Sequence, residues 1–291
     1  MSAGERRWLE LAVRAPDVVE RAALLAEGLM VLGGRAVEER SGWFVTDVPM
    51  PDDPEAWLEE ARAVLRNATG PGTLEIATRE VPEEDWAETW KRGLAPRRIT
   101  PRLIVTPTWH TVDAGPDDLV VMLDPGMAFG TAEHGTTRGC LRLLDRAVRP
   151  GARILDVGSG SGILSIAAAR MGAAEVVAVE GDELAVEVID ENVRLNGVGD
   201  VVRWKPCWAD GVLLASLGPV DGVVANIESL TLIRLMTGFH AALAPEGWLI
   251  LSGILDSEWD RVRSSAEEEG FHLEVLDEDG EWRSAWLVRS T

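Results

Sequence analysis

Arg153-Ile154-Leu155-Asp156-Val157-Gly158-Ser159-Gly160-Ser161-Gly162-Ile163-Leu164-Ser165-Ile166-Ala167-Ala168-Ala169 decides the fold of this chain. Residues 154–157 are a short apolar run, the pattern of a buried strand. Glycines follow at 158, 160 and 162, and an Ile/Leu/Ala pattern of helical spacing begins directly after them. Glycine lets a backbone turn sharply and lets a ligand come where a Cβ would stand. Unpaired amides at a helix start favour electron-rich ligand atoms. A second apolar run, Val176-Val177-Ala178-Val179, ends in Glu180, 22 residues after Gly158. An acid at the end of the second strand, about 20 residues past the glycines, is placed to accept hydrogen bonds from ribose hydroxyls. The glycines alone would suit a tight turn in any α/β protein. A Rossmann dehydrogenase prefers G-x-G-x-x-G, whereas the spacing here is G-x-G-x-G preceded by Asp156.

The chain has 291 residues, enough for one large domain or for two. Its 46% hydrophobic and 26% charged residues describe a globular protein, not a disordered one. No apolar run approaches the roughly 20 residues that span a bilayer. The N-terminal Met1-Ser2-Ala3-Gly4-Glu5-Arg6-Arg7-Trp8 carries no signal-peptide core, so a cytoplasmic location and no membrane partner are expected. Cys140 and Cys207 have no metal-like spacing, and no metal site is expected. Cys140 sits in an apolar helical pattern and reads as a small core residue. The net charge of −21 argues against direct nucleic-acid binding, which needs a basic surface. It suits a basic protein partner, drawn in electrostatically, and equally a surface that is merely kept soluble.

The first 80 residues have a pattern of their own. Residues 6–14 alternate as a strand, and Asp17 is placed to cap a helix running to about residue 32. Strands over 36–40 and 43–48 are joined at Ser41-Gly42 as a hairpin. Asp53-Pro54 opens a second helix, Gly70-Pro71-Gly72 ends it, and residues 73–79 alternate again. The order β-α-β-β-α-β is the split βαβ, or ferredoxin-like, plan and predicts a small domain over residues 1–80. Residues 81–95 predict a helical connector, with acids at its front, Lys91-Arg92-Gly93 at its back, and Trp86 and Trp90 on one face. The second domain then covers 96–291.

That domain opens with strand-like 102–106 and 119–123. Asp124-Pro125-Gly126-Met127-Ala128-Phe129-Gly130-Thr131-Ala132-Glu133-His134-Gly135-Thr136-Thr137-Arg138 follows, too polar and glycine-rich for core. It predicts a binding loop or lid, with the next helix starting at Thr136 or Thr137. From 151 onward strands and helices alternate. A helix is expected over about 182–195 and a strand over 201–204. Asp210 comes next, where an acid meets an adenine amino group. The fourth strand, 221–227, ends in Asn226. A helix over 229–243, a strand over 248–254, an amphipathic helix over 257–269 and an antiparallel pair, 271–275 with 282–288, complete the chain. The expected fold is α/β, an open and mostly parallel sheet with helices on both faces. Its ligand crevice lies at the carboxyl ends of the strands, where the glycines, Glu180, Asp210 and Asn226 all fall.

The turn Asp156-Val157-Gly158-Ser159-Gly160-Ser161-Gly162 resembles the first motif of class I methyltransferases, which bind S-adenosylmethionine. Asp124-Pro125-Gly126-Met127-Ala128-Phe129-Gly130-Thr131, His134, Thr136-Thr137 and Val224-Ala225-Asn226-Ile227 are more specific. Together with Asp85-Trp86, Trp90 and Ser252-Gly253-Ile254-Leu255, they resemble the bacterial methyltransferases of ribosomal large-subunit protein eleven. The resemblance covers nearly the whole chain. It implies methyl transfer from S-adenosylmethionine to protein amines, mainly lysine side chains and the N-terminal α-amine. It implies that the N-terminal domain recognises the ribosomal substrate. It also implies cofactor binding by Thr137, Gly158, Glu180 and Asn226, with Gly160 in the same glycine turn. The family usually reads Thr-Gly-x-His-Pro-Thr-Thr, and here Ala132 and Gly135 replace the glycine and the proline. The acid after the second strand is commonly Asp, and Glu180 still reaches a ribose diol.

A lysine amine has an unperturbed pKa of about 10.4 and must lose a proton before attack. Desolvation and orientation by carbonyl acceptors suffice for this, so no catalytic residue is assigned. His134 is placed to order its loop rather than to act as the base. Asn226 is followed by Ile227-Glu228, not by the Pro-Pro-aromatic run of nucleobase or glutamine methyltransferases, which favours cofactor positioning. Two alternatives stand beside this expectation: a class I methyltransferase with another protein lysine or a small-molecule acceptor, and a non-catalytic binding module.

Overall fold

Strand β1 (Trp8–Arg14) buries Leu9, Leu11 and Val13 on one face, as its alternation requires. It lies centrally in an antiparallel four-stranded sheet with β2 (Glu38–Arg40), β3 (Trp43–Pro49) and β4 (Glu75–Val81), in the order β2-β3-β1-β4. That order is the ferredoxin-like one. The β2–β3 hairpin pairs Arg40 with Trp43, and its Gly42 takes the positive φ that a two-residue turn needs. Helix α1 (Pro54–Thr69) starts where Pro at the first position fits, and Asp53 caps it by accepting the Ala56 N–H at 3.1 Å. Leu65 of α1 joins Leu11, Val13, Leu25 and Leu29 in one core. This computed structural model describes residues 8–14, 25, 28, 29, 32–34, 37–40, 42–51, 53–69, 73–81, 95–124 and 132–290. Most of the expected 17–32 helix, the connector with Trp86 and Trp90, and Phe129 lie outside those residues; Leu25 and Leu29 are helical and buried.

The chain divides into two compact units, Met1–Gly93 and Leu94–Thr291. In the second unit β5 (Arg97–Arg98), β6 (Leu103–Thr106) and β7 (Leu119–Met122) form a small sheet. The main sheet has seven strands in the order β10-β9-β8-β11-β12-β14-β13. These are β8 (Arg153–Val157), β9 (Glu175–Glu180), β10 (Val202–Pro206), β11 (Val220–Asn226), β12 (Leu243–Leu255), β13 (Phe271–Asp279) and β14 (Trp282–Arg289). The first five are parallel, and β14 runs antiparallel to both β12 and β13. Strand β8 is buried on both sides: Ile154 points into one core and Leu155 into the other. The first core takes α2 (Gly135–Ala147), α3 (Ile163–Arg170) and α4 (Glu183–Leu195), and the second takes α5 (Gly211–Leu217), α6 (Ser229–Ala242) and α7 (Trp259–Glu268). This is the class I methyltransferase architecture that the glycine turn predicts.

Boundaries differ in physically intelligible ways. Helix α2 starts at Gly135, one residue earlier than expected. Strand β12 begins at Leu243, directly after α6: Leu243 pairs with Val220, and after an irregularity the ladder resumes with Trp248 opposite Gly222. A 3-10 turn, Asp256–Glu258, precedes α7. Helix α5, unforeseen, is seeded by Asp210, whose carboxylate accepts the Leu213 N–H at 2.7 Å. Asp210 thus acts as a helix cap in this structure.

Candidate active site

The main sheet grows outward from β8 through β9 to β10, then returns to build β11 and β12 on the other side. The reversal falls between β8 and β11, so the crevice opens beyond Val157 and Asn226. Gly158 has φ +73, and a Cβ there would overlap the Ile227 Cγ2. The two strand ends therefore close on each other only because residue 158 is glycine.

On one side of the switch point the backbone does the work. The Gly158 and Ser159 amides donate to the Val179 carbonyl at 2.9 and 3.3 Å, and Gly162 N–H donates to Ser159 O at 2.9 Å. The Gly160 amide donates to Glu180 Oε2 at 2.8 Å, and Asp182 N–H donates to Glu180 Oε1 at 2.9 Å. Glu180, nearly buried, thus clamps the glycine turn, and a carboxylate with about four acceptor positions keeps capacity for further donors. Asp156 is fully buried and accepts the Ser165 hydroxyl at 2.6 Å. Burial pushes its carboxyl up to about 7, and nearby Glu180 adds to this against the Ser165 bond.

Side chains build the other side. Asn226 ends β11, and its Nδ2 lies 3.5 Å from the Thr137 Oγ1 on α2. Thr137 is fully buried and Asn226 is 9% exposed. Ile227 N–H donates to Ser252 O at 3.2 Å, and Ser252 Oγ reaches Thr136 O at 3.3 Å and Ser284 Oγ at 2.6 Å. Next to Asn226 lies a cavity of about 510 Å³, walled mostly by carbon, with His134, Trp208, Ile227, Glu228 and Trp282 around it. The His134 ring rests on the Trp282 indole, centroids 4.9 Å apart, and its Nδ1 is 2.7 Å from the Thr136 hydroxyl. Burial, then the Arg138 charge, lowers the His134 pKa, so the ring is neutral at pH 7. This geometry ties His134 to the first turn of α2 and to the β13–β14 hairpin.

Two anchors hold these halves. Arg138 makes a bidentate pair with Asp279, at 2.9 and 2.6 Å, and also donates to the Glu133 carbonyl. Arg142 pairs with Asp277 at 2.8 and 2.5 Å and reaches Asp279 at 3.1 Å. The Arg138 guanidinium holds the Asp279 carboxyl below its ordinary range. The β13–β14 hairpin, and with it Trp282, is thereby fixed to the start of α2. Gly135 lies in this contact: a Cβ there would stand 3.2 Å from both Asp279 O and Trp282 Cδ1. The second anchor is Asn192, buried in α4, which donates to Ser161 O at 2.9 Å and accepts the Asp124 N–H at 3.2 Å. Asn196 holds the Met122 backbone in both directions, at 2.9 and 2.6 Å.

The structure brings Gly158, Gly160 and Glu180 into one cluster, and Thr137 with Asn226 into another beside it. Asp156 Oδ1, Ser159 Oγ and Asn226 Oδ1 are buried polar atoms with no protein partner. A ligand carrying both donors and a diol would satisfy them, so the residues present fit an adenosyl-amino-acid group. The sequence pattern missed Trp208, Trp282, the Arg138–Asp279 pair and the Asn192–Asn196 pair. A signal existed for the ion pairs: Arg138 and Arg142 are i,i+4 on a helix, and Asp277 and Asp279 are i,i+2 on a strand, each set on one face. Among the described residues no group of three His, Cys, Asp or Glu is placed to hold a metal, and no helix is long and apolar enough to cross a membrane.

The family model for ribosomal protein L11 methyltransferase (PrmA) matches residues 50–290. The ribosomal protein L11 methyltransferase of Streptococcus uberis is 43% identical over 233 residues, 79% of this chain and 72% of that protein. The one from Heliobacterium modesticaldum is 37% identical over 307 aligned positions, 95% of each chain. Among solved structures, a ribosomal protein L11 methylase from Lactobacillus delbrueckii subsp. bulgaricus superposes with TM-score 0.61 at 29% identity, covering 68% of this chain and all of that one.

Proposed function

The chain belongs to the ribosomal protein L11 methyltransferase family, and from that membership we propose that it transfers methyl groups from S-adenosylmethionine to amino groups of ribosomal protein L11. The acceptors are lysine side chains and the N-terminal α-amine. The observation that carries this is the meeting, at the switch point, of a glycine turn clamped by Glu180 with a carbon-walled cavity lined in part by Asn226. Glu180 holds the ribose diol, Gly158 and Gly160 leave room for the amino-acid part, and Thr137 of α2 and Asn226 of β11 close the site from the other side. When bound, S-adenosylmethionine supplies a sulfonium-activated methyl group.

The rest of the chemistry falls to the protein. Lysine, with a pKa of about 10.4, reacts only as the free amine. A carbon-lined cavity disfavours the ammonium form and lets its proton leave to solvent before attack. The walls then hold the nitrogen in line, which is worth more than a dedicated base. We assign recognition of the basic acceptor protein to the N-terminal unit, because the 95% match to one relative extends through it. The −21 charge complements such a partner. A ribosomal acceptor sets the reaction in the cytoplasm. Intact-mass analysis of L11 incubated with the protein and S-adenosylmethionine tests the proposal. Steps of one methyl mass are expected; no added mass, with cofactor binding confirmed, would refute the acceptor.

A further inference from the structure

We propose that Asn192 is a positioning residue for cofactor binding: its side-chain amide couples the glycine turn to Asp124 at the exit of β7, so that affinity for S-adenosylmethionine depends on a bridge to the small sheet; this rests on cofactor binding at that turn. The buried face of α4 reads Ala185, Ile189, Asn192 and Val193, with Asn196 directly after it, all on one helical stripe. Two amides in such a stripe cost free energy unless their polar atoms find partners. Asn192 is 1% exposed and finds its partners in the backbone of two other elements. Its Nδ2 donates to Ser161 O at 2.9 Å, and its Oδ1 accepts the Asp124 N–H at 3.2 Å. An amide is neutral, donates at one end and accepts at the other, which this bridge requires.

Both ends of the bridge are held. The Ser161–Gly162 peptide is fixed on its oxygen by Asn192 and on its nitrogen by Ser159 O, which accepts the Gly162 N–H at 2.9 Å. Helix α4 stands this close because residue 162 is glycine: a Cβ there would lie 2.6 Å from the Ile189 Cγ1. In the same turn Glu180, assigned the ribose diol, holds the Gly160 amide at 2.8 Å. At the other end the Asp124 carboxylate accepts the Thr108 N–H at 3.0 Å and the Thr108 hydroxyl at 2.7 Å, which ties it to the exit of β6. Asn196 already holds the end of β7, through the Met122 N–H and carbonyl at 2.9 and 2.6 Å. What Asn192 adds is therefore the contact to the turn. Without it the turn keeps its glycines and Glu180 but loses the bond that orients the Ser161–Gly162 peptide.

The test titrates S-adenosylhomocysteine into the full chain by calorimetry, for wild type, Asn192→Leu and Asn192→Asp, at pH 7.5 and 5.5, with urea unfolding alongside. Asn192→Leu keeps the volume and loses both bonds, and is expected to bind about tenfold more weakly at either pH. Asn192→Asp sets a carboxylate against Ser161 O at pH 7.5 and is expected to bind about tenfold more weakly there. At pH 5.5 the buried carboxyl is protonated and can donate to Ser161 O again, so its affinity should return to within about threefold of wild type. The ionisable groups on the elements packed around this position are Asp124 at the exit of β7, Asp156 and Glu180 beside the turn, and Arg170 of α3, which donates to the Asn196 carbonyl at 2.7 Å. Wild type carries the same groups, so the ratio of the two affinities at each pH is the reading. A lowered urea midpoint with affinity within twofold of wild type in Asn192→Leu would make the role structural only and overturn the proposal. So would an Asn192→Asp that binds weakly at pH 7.5 and does not recover at pH 5.5. Wild type that binds no S-adenosylhomocysteine would overturn the cofactor site itself, and this inference with it; wild-type binding matched by both variants would overturn this inference alone.

Discussion

The two sides of the switch point are built by different means. On the β8–β9 side, the turn is made by neighbours in sequence: backbone amides of residues 158–162 bonded to Val179 and Glu180. On the β11 side, the cavity is assembled from α2, the end of β11 and the β13–β14 hairpin, whose residues are up to 148 positions apart, from His134 to Trp282. A site made of backbone tolerates few substitutions, because glycine conformation and hydrogen bonds leave no slack. A site made of distant side chains depends on the ion pairs and hydroxyls that hold its walls. Damage to the first is expected to abolish cofactor binding, and loss of the ion pairs that hold the second to spare the cofactor and weaken the acceptor.

The largest effect is expected on the backbone side. Gly158→Ala places a Cβ at positive φ and against Ile227, a strain of about 1–3 kcal/mol before any ligand is considered. S-adenosylmethionine binding, read by calorimetry, should fall at least 100-fold. Retention of affinity would show that the turn need not close on β11. On the other side, Arg138→Ala breaks the bidentate pair with Asp279 and frees Trp282. The expected result is a rise of about tenfold in acceptor KM, with cofactor affinity within twofold. A loss of cofactor affinity instead would erase the distinction between the sides.

This same difference explains what was legible. The glycine turn, Glu180 and the strand–helix alternation are local patterns, and the fold followed from them, down to the antiparallel β13–β14 pair. Helix α5 was hidden because Asp210 reads equally as a ligand contact and as a cap. Trp208 and Trp282 carry no periodic signal that separates a cavity wall from core. Arg138 and Arg142 read as the solvated face of a helix until the hairpin that answers them is seen. Gly135, one of two departures from the family's loop pattern, proves to sit where the hairpin touches α2.

A smaller effect sharpens the backbone side. Asp156 has a folded pKa of about 7, against an ordinary value of 3.8. Between these values the folded chain keeps a proton that the unfolded chain has lost, so stability falls as pH rises through this window. The slope is up to about 1.4 kcal/mol per pH unit from this group. Urea unfolding at pH 5.5 and 7.5 should show this loss in wild type and a flatter response in Asp156→Asn. The smallest effect is expected at Cys140, fully buried in α2, whose thiol is pushed far up by burial. Cys140→Ala should cost about 1 kcal/mol of stability and leave turnover within twofold. A larger fall in turnover would give the thiol a part in the chemistry.

The most direct test of two separately built sides is one calorimetric series, S-adenosylmethionine titrated into wild type, Glu180→Ala and Arg138→Ala. Removing a charged acceptor costs about 1.5–3 kcal/mol. Glu180→Ala should therefore bind about 10- to 100-fold more weakly, and Arg138→Ala should bind as wild type does. Unchanged affinity in Glu180→Ala, or equal losses in both variants, would contradict the account.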